Sequence, residues 1–549
     1  MSISSSESLP EYYNAAEHFL TRNVRNGAGH KSAYLHEGGA LTFADTLSLA
    51  QRMASLLGDA GADQESRVAL LLDDSPELVV GFWGALWAGA VAVPINTACS
   101  DDDVAYILSD SRARVLITTR ARARSLGLRT IALVRRLICI DDAGPFTNEL
   151  GTRVLSEAGG RTLFETLAGR SPVQSAATTH RDEPAFWLYT SGSTGRPKGV
   201  VHAHGDMVPC AEGYGRLTLG LTGSDISFSV ANIPFAYGLG ATLYMPMWVG
   251  ASAVLCSASN AFDITAIVDK FRPTVFWGIP SVYAALLSAA DLCGFDPSSL
   301  RLCISAAEML PSSVFRAFHE RFGREICEGI GTTELLHIFL SNRPGRCRPG
   351  SCGLPVPGYE VRVLDEQGQP AEPDQVGDLE VRGPSLMLNY WNRRDESQRA
   401  MFGGAMRTGD KYVVGADGFF RFVGRGDDLF KVNGQWVAPT EVEATLREHP
   451  AVEDCSVVLD RDQTENDLPV LVAYVKLREG QLASDALTNS LKKWAKARLL
   501  HFKAPRRLSF VDALPRTVTG KVDRKTLARE GRTRLAVSED SYEREAIST

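Results

Sequence analysis

Residues 189–199 read Tyr189-Thr190-Ser191-Gly192-Ser193-Thr194-Gly195-Arg196-Pro197-Lys198-Gly199. The segment follows an apolar strand candidate, Ala185 to Leu188, and precedes another, Val200 to His202. Its glycines let the backbone approach an anion closely, its hydroxyls can donate to phosphate oxygens, and Lys198 adds a positive charge. That chemistry suits a nucleotide-phosphate cradle. Other phosphate motifs fit poorly. A P-loop needs Gly-Lys followed by Ser or Thr, whereas Lys198 lies between Pro197 and Gly199, and no dinucleotide GxGxxG is present. A Ser/Gly-rich surface turn has the same composition, so the loop alone leaves that reading open.

On either side of this loop, apolar runs alternate with helical patterns. Strand candidates are Arg67 to Asp74, Ala90 to Ile95, Arg114 to Thr119, Ala251 to Ala258, Thr274 to Pro280 and Leu302 to Ser305. Their apolar residues are continuous rather than alternating, which indicates sheets covered on both faces. The expected fold class is α/β, with a large N-terminal domain of layered, doubly wound α/β sheets. After about Gly377 the texture shifts to turns and polar strands, expected to form a β-barrel-like subdomain. The charged break Gly424-Arg425-Gly426-Asp427-Asp428 then precedes a small α+β C-terminal module. That module reads strand, helix (Pro439 to His449), strand (Cys455 to Asp460), strand (Pro469 to Leu477), helix (Asp485 to Leu499), strand. The expected domains are 1–426 and 427–549, with a polar, frayed end from Arg532.

Composition narrows the function classes. A chain of 549 residues has room for about three to five structural units. With 44% apolar and 22% charged residues it is an ordinary globular chain, not a disordered one. Lys plus Arg number 58 against 65 Asp plus Glu, a net charge of −7 that argues against a nucleic-acid-binding surface. The ten cysteines are scattered; Cys347 and Cys352 are close but lack a second ligand pair for zinc. The N-terminus has no signal-peptide pattern, so a reduced, cytoplasmic protein is expected. Two uncharged stretches, Val79 to Ile95 and Ile226 to Phe262, are broken by glycines and prolines and read as buried core, not membrane spans.

Further segments follow the phosphate loop in a fixed order: Gly329-Ile330-Gly331-Thr332-Thr333-Glu334, then Arg407-Thr408-Gly409-Asp410, then the Gly424 to Asp428 break with Lys431, then Pro515-Arg516-Thr517-Val518-Thr519-Gly520-Lys521. Together these resemble the core motifs of the adenylate-forming superfamily: acyl-CoA synthetases, carrier-protein-loading adenylation domains and luciferases. The resemblance runs from about Tyr12 to Arg529. Phe235-Ala236-Tyr237-Gly238-Leu239-Gly240, Ser305-Ala306-Ala307-Glu308-Met309-Leu310-Pro311 and Thr333 to Asn342 resemble the corresponding segments of benzoate-CoA ligases.

The resemblance implies two half-reactions. A carboxylate attacks the α-phosphate of ATP and releases pyrophosphate; the thiol of coenzyme A then attacks the acyl-adenylate. An aryl carboxylate with an ordinary pKa near 4 is already ionised at neutral pH, so the first step needs charge neutralisation and alignment, not a base. By resemblance, Thr190, Ser191, Gly192, Ser193, Thr194, Gly195 and Lys198 hold the β- and γ-phosphates. Ala307, Glu308, Glu328, Gly329, Ile330, Gly331, Thr332 and Thr333 line the nucleotide. Glu334 holds Mg²⁺, a hard cation that takes oxygen ligands; read alone, it could equally cap a helix N-terminus. Asp410 accepts from the ribose hydroxyls with Arg425 beside it, although an isolated Thr-Gly-Asp reads as a turn. Lys521 is implied as the adenylation lysine, where a lone lysine would read as solvated. Asp427 is implied as the hinge of a rotating small domain, with an exposed linker aspartate as the plain alternative. Lys431, Gly434 and Trp436 are implied on the CoA side.

The same resemblance places Ala236, Tyr237, Gly238, Ala306, Ala307, Gly331, His337 and Ile338 around the carboxylate substrate. Tyr237 offers an apolar wall for a ring and His337 a polar contact, while both also suit plain core packing. Two positions depart from the benzoate pattern: Ala307 stands where glycine is usual, and Glu328 where aspartate or asparagine often stands. Benzoate, 2-aminobenzoate (anthranilate) and hydroxybenzoates are therefore equal candidates. The expected partners are ATP, CoA and a small aromatic acid, with a carrier protein as alternative acyl acceptor and a homodimer left open. A non-catalytic nucleotide- or acyl-binding homologue is the remaining alternative, which the joint presence of Glu334 and Lys521 opposes.

Overall fold

The computed structural model describes residues 9–141, 146–147, 153–154, 162–191, 196–426, 429–432, 435–462, 468–515, 522–524, 526–527 and 529. The chain divides into two compact units. The first comprises Met1–Arg362, Leu379–Thr408 and Val414–Arg421; the second comprises Val363–Asp378, Gly409–Val413 and Phe422–Thr549.

The first unit is built on two large sheets. In the seven-stranded sheet the order is Asn389–Tyr390, Pro197–Ala203, Pro184–Ser191, Val91–Pro94, Arg67–Leu71, Val115–Thr118, Arg136–Cys139. The strands from Pro184–Ser191 to Arg136–Cys139 run parallel, while Pro197–Ala203 turns back antiparallel. The nine-stranded sheet has a parallel centre of Ile326–Gly331, Leu302–Ser305, Val275–Gly278, Ile226–Ser229, Ser252–Leu255 and Ser32–His36. Val115–Thr118, Ser252–Leu255, Val275–Gly278 and Leu302–Ser305 are buried at every position, which is why their apolar residues run without alternation.

Each strand candidate named above is a strand: Leu302–Ser305 is unchanged, those from Arg67, Ala90, Arg114, Ala251 and Thr274 are a few residues shorter, and those at Ala185, Val200, Cys455 and Pro469 extend further. The stretch from Val79 to Ile95 forms most of the helix Pro76–Trp87, buried along its length, and the strand Val91–Pro94. Ser75 caps that helix by accepting from the Leu78 N–H, and Pro76 occupies its first turn. Among the described residues no helix is long and apolar enough to cross a membrane. Of the close cysteine pair, Cys347 lies instead against Cys327, sulfur to sulfur 3.2 Å apart.

The polar strands expected after Gly377 belong to a five-stranded sheet of Glu360–Leu364, Gly377–Arg382, Ala405–Val414, Met401–Phe402 and Phe420–Arg425. In the tail, Pro439–Arg447 and Asp485–Arg498 are helices, and Val452–Asp462, Leu468–Leu477 and Arg507–Phe510 form a three-stranded sheet. Its core is Val442, Leu446, Cys455, Val457, Leu471, Ala473, Val475, Leu491 and Ala495. Inside that core the buried Glu443 carboxylate accepts from the Val457 N–H at 2.8 Å and from Arg524 at 2.9 Å on both oxygens. The pair ties the segment just after Lys521 to the helix Pro439–Arg447.

Candidate active site

The two ends of the phosphate loop lie on paired strands. Pro184–Ser191 and Pro197–Ala203 pair antiparallel, with Lys198 opposite Thr190 and Pro197 opposite Ser191. Lys198 therefore sits on a strand, not within the turn as the glycine pattern suggested, so its side chain is placed by the sheet. Gly192, Ser193, Thr194 and Gly195 lie outside the described residues, as does the Ser191 side chain.

A third strand fixes what faces the hairpin. Asn389–Tyr390 pairs with Val200 and Val201, and the Trp391 N–H donates to Gly199 O at 2.8 Å. Tyr390 is thereby held with its ring centroid 3.9 Å from Lys198 Nζ, a cation–π contact, while its hydroxyl donates to Glu334 Oε1 at 2.5 Å. Lys198 Nζ is also 3.6 Å from Glu396 Oε2. Glu334 lies in the single turn Thr333–Leu335. Its carboxylate is turned to Tyr390, so the helix-capping reading gives way.

The same turn is fastened from below by His202. Its Nε2 is 2.7 Å from Thr333 O and its Nδ1 is 2.8 Å from Asp206 Oδ2. A carbonyl only accepts, so Nε2 carries a proton and the Nδ1–Oδ2 contact shares a second. Asp206 also accepts from the Ala203 N–H at 3.0 Å. Burial raises its pKa, opposed by the bonds to His202. The Glu334 turn is thus held by two side-chain links, one from Tyr390 on the third strand and one from His202 on the hairpin.

Three residues beyond Glu334 the environment reverses. Leu336 has φ 65° and ψ −37°, and the His337 N–H donates to Leu335 O at 2.8 Å, a strained three-residue turn. It presents His337 to a shell of rings: Tyr214, Tyr237, Trp277 and Tyr244, with centroids 5.4 to 6.3 Å away. Two glycines make room. A Cβ on Gly240 would come within 2.4 Å of the His337 ring, and one on Gly331 within 2.3 Å of His337 O. His337 Nε2 donates to Tyr237 O at 3.2 Å, and Nδ1 has no hydrogen-bond partner among the described residues. Burial pushes its pKa down to about 4, against the Tyr237 bond, so at neutral pH the ring is uncharged and Nδ1 is an acceptor.

Tyr237 spans the strand ends, its hydroxyl reaching Gly278 O at 3.2 Å and Ile304 O at 3.4 Å. That leaves its ring as the wall. Ala236 and Gly238 belong to the short helix Ala236–Leu239; Ala306 and Ile338 are buried, and Ile338 pairs with Gly331. Ala307 and Glu308 are exposed on the loop after Leu302–Ser305. Ala307 has φ 71°, the left-handed conformation that glycine adopts freely and that costs a residue with a Cβ about 1 kcal/mol or more. The alanine at this position is therefore held in a glycine conformation.

Glu328, Gly329, Ile330 and Gly331 lie on the strand Ile326–Gly331, which runs from this loop toward the Glu334 turn. Glu328 is buried and its Oε1 accepts from the Leu310 N–H at 2.9 Å. Burial pushes its pKa up to about 7 against that bond. Thr332 follows, its hydroxyl buried and without a hydrogen-bond partner among the described residues.

A family model described as AMP-binding enzyme matches residues 20–391, and a second, AMP-binding enzyme C-terminal domain, matches residues 441–521. The chain belongs to the AMP-binding enzyme family. It is 38% identical to a benzoate–CoA ligase of Thauera aromatica over 523 residues, covering 94% of this chain and 96% of the relative. Among solved structures, it superposes on the anthranilate CoA ligase AuaEII in complex with anthranoyl-AMP with a TM-score of 0.84, at 36% identity, covering 97% of this chain and 100% of the other. A benzoate CoA ligase from Burkholderia xenovorans LB400 follows at a TM-score of 0.80 and 37% identity, covering 94% of this chain and 100% of the other.

In this AMP-binding enzyme the remaining sequence-derived residues fall in the second unit. Arg425 Nε lies 3.0 Å from Asp410 Oδ1, the aspartate buried and the arginine exposed. Lys431 and Trp436 are register partners in the two-stranded hairpin Phe430–Val432 and Gln435–Val437. Asp427, Gly434 and Lys521 lie outside the described residues. Tyr390, Glu396, His202 and Asp206 also meet here, and no motif of the sequence marks them. The His202 and Asp206 spacing of four was the only local signal, and it is a weak one.

Proposed function

We propose that the chain is an AMP-forming aryl-CoA ligase that converts a benzoate-type acid to its acyl-adenylate, with release of pyrophosphate, and passes the acyl group to coenzyme A. The observation carrying this reading is the segment Glu334 to His337. Its first residue is hydrogen-bonded to Tyr390 beside the phosphate hairpin and its last stands in a shell of aromatic rings. An ionic site for phosphates and a neutral, flat-walled site for a ring thus meet within three residues, as joining a carboxylate to an α-phosphate requires.

The roles follow from the chemistry of each group. Lys198 and Thr190 face the anionic leaving group from adjoining strands. Glu334 supports a hard-cation site, because one carboxylate oxygen is fixed by Tyr390 and the donor is oxygen. Mg²⁺ held there would offset phosphate charge. Tyr237 and His337 bound the ring, and His337 Nδ1 is an acceptor for a ring N–H or O–H. Asp410 and Arg425 hold the ribose, and Lys521 supplies the ammonium that stabilises charge between carboxylate and α-phosphate. The domain role assigned to 427–549, with Asp427 as pivot and Gly434 leaving room for the thiol, belongs to this proposal.

Aryl-acid-dependent exchange of labelled pyrophosphate into ATP tests the first half, and thioester formation with free CoA against a holo-carrier protein tests the second. Exchange together with free-CoA thioester is the expected result. Exchange with thioester only on the carrier protein would move the chain to the carrier-loading class, and no exchange with any aromatic acid would leave a binding homologue.

A further inference from the structure

In a chain of net charge −7, residues 112–140 carry eight arginines and no acidic residue. The seven-stranded sheet sorts them to two ends. Arg120, Arg122 and Arg124 follow the carboxyl end of Val115–Thr118, whereas Arg112, Arg114 and Arg135 gather at the amino ends. There the backbone sets them side by side with Arg67: the Arg114 N–H donates to Arg67 O at 2.8 Å and the Arg135 N–H to Arg114 O at 2.9 Å. Three neighbouring parallel strands are thus each entered through an arginine. Together with Arg112 they line a surface groove of about 610 Å³ that also presents Ser66 and Ser109.

The groove is short of negative charge. Arg114 meets the exposed Asp63 at 2.9 Å, and Glu65 is the one carboxylate on the groove wall. Arg67 is fixed by backbone carbonyls, its Nε donating to Ser111 O and its Nη1 to Glu65 O, each at 2.8 Å. Burial and then repulsion from Arg112 hold its guanidinium below its usual pKa. Arg112 is itself in the left-handed region, φ 52°, at the end of the helix Asp101–Ser111. A cation at a helix C-terminus complements the helix dipole, which accounts for Arg112. It does not account for the three arginines that open strands.

We propose that this groove is a binding site for an oligophosphate group, separate from the phosphate hairpin. The separation is topological. Pro184–Ser191 runs parallel to Val91–Pro94, so the paired ends Ser191 and Pro197 lie at the carboxyl edge of the sheet while the groove lies at the amino edge. Strands of four to five residues at roughly 3.3 Å each put about 15 Å between the two. Planar guanidinium forks bind phosphate in pairs, and four of them against the two carboxylates Asp63 and Glu65 leave a charge that an anion of two charges would balance. The volume suits a nucleoside phosphate as well as a free oligophosphate.

Trp391 and Trp187 provide a reporter. The Arg67 guanidinium lies 5.5 Å from the Trp187 ring and 5.7 Å from the Trp391 ring, and Arg112 lies 5.6 Å from Trp391. Titrating inorganic tripolyphosphate, and separately ADP, into the full-length protein and into the double variant Arg112→Gln/Arg135→Gln tests the site by calorimetry and tryptophan emission. Both substituted residues are exposed, so the fold and the pyrophosphate exchange rate should be unchanged. The wild-type chain should bind one equivalent more than the variant, with an emission change that the variant lacks. That extra equivalent should weaken at least tenfold between 50 and 200 mM salt, an effect of about the size multiple phosphate contacts produce. If the site accepts tripolyphosphate, the phosphates alone suffice; if it accepts ADP only, the ligand is a nucleotide. Identical isotherms for the two proteins, or no equivalent lost on mutation, would overturn the site.

Discussion

At the corner where the phosphate hairpin meets Asn389–Tyr390, an ammonium, a phenol and two carboxylates lie within hydrogen-bond or cation–π reach of one another. Around His337, three residues along the chain from that corner, four aromatic rings enclose an uncharged imidazole. The corner leaves its ionic groups partly open to solvent, with the Lys198 and Glu396 side chains 18% and 24% exposed. The ring shell excludes water and drives His337 to neutrality. On the proposed function, one short segment serves a charged and an apolar reactant, and the strained turn at Leu336 is where the surroundings change. Strain of this kind persists only where the surroundings over-determine it, and Gly240 and Gly331 do so here by close approach.

The largest effect should come from the charged side. Glu334→Gln keeps the shape and the Tyr390 contact but removes the charge, and should lower pyrophosphate exchange by about two to three orders of magnitude. A loss under tenfold would take Glu334 out of the reaction. Tyr390→Phe removes only the hydroxyl that orients Glu334, and should cost about 10- to 100-fold with a raised Mg²⁺ requirement. Loss without any shift in metal dependence would make Tyr390 a packing residue. On the apolar side, His337→Phe should change ring selectivity more than rate. Relative kcat/KM for 2-aminobenzoate over benzoate should fall about 10-fold, within the ~1 to 3 kcal/mol such a contact supplies. Equal loss for both acids would assign His337 to structure alone.

The smallest effect concerns Glu328, whose carboxyl burial pushes up from the ordinary value near 4.5 to about 7. A raised acid pKa means the folded state holds its proton above the unfolded pKa, so stability is full below pH 4.5 and falls as pH rises toward 7. Glu328→Gln removes that dependence. The variant should be more stable than wild type at pH 8 by on the order of 1–2 kcal/mol, with the difference vanishing at pH 4 in denaturant titrations. A difference of the same size at both pH values would trace the effect to packing.

Much of the fold was legible because fully buried parallel strands write themselves as unbroken apolar runs; Val115–Thr118 and Leu302–Ser305 are found almost to the residue. The motif residues were legible because their order is specific to one superfamily. What could not be read was contact between segments far apart in sequence. Tyr390 reaches Glu334 across 56 residues and His202 reaches Thr333 across 131, and neither carries a local pattern. Lys198 was assigned to a turn because glycines dominate its neighbourhood, yet strand pairing extends to Pro197. Ala307 was recognised as a departure from glycine, but only its φ of 71° shows that the backbone has kept the glycine conformation.

On the proposed function, the ring shell selects an aromatic acid for the charged corner to activate. Comparing kcat/KM for benzoate, 2-amino-, 2-hydroxy-, 3-hydroxy- and 4-hydroxybenzoate with that for a medium-chain fatty acid, with free CoA as acceptor, tests it most directly. At least one aromatic acid should exceed the fatty acid by two orders of magnitude or more; a fatty acid equal to or better than every aromatic acid would contradict the account.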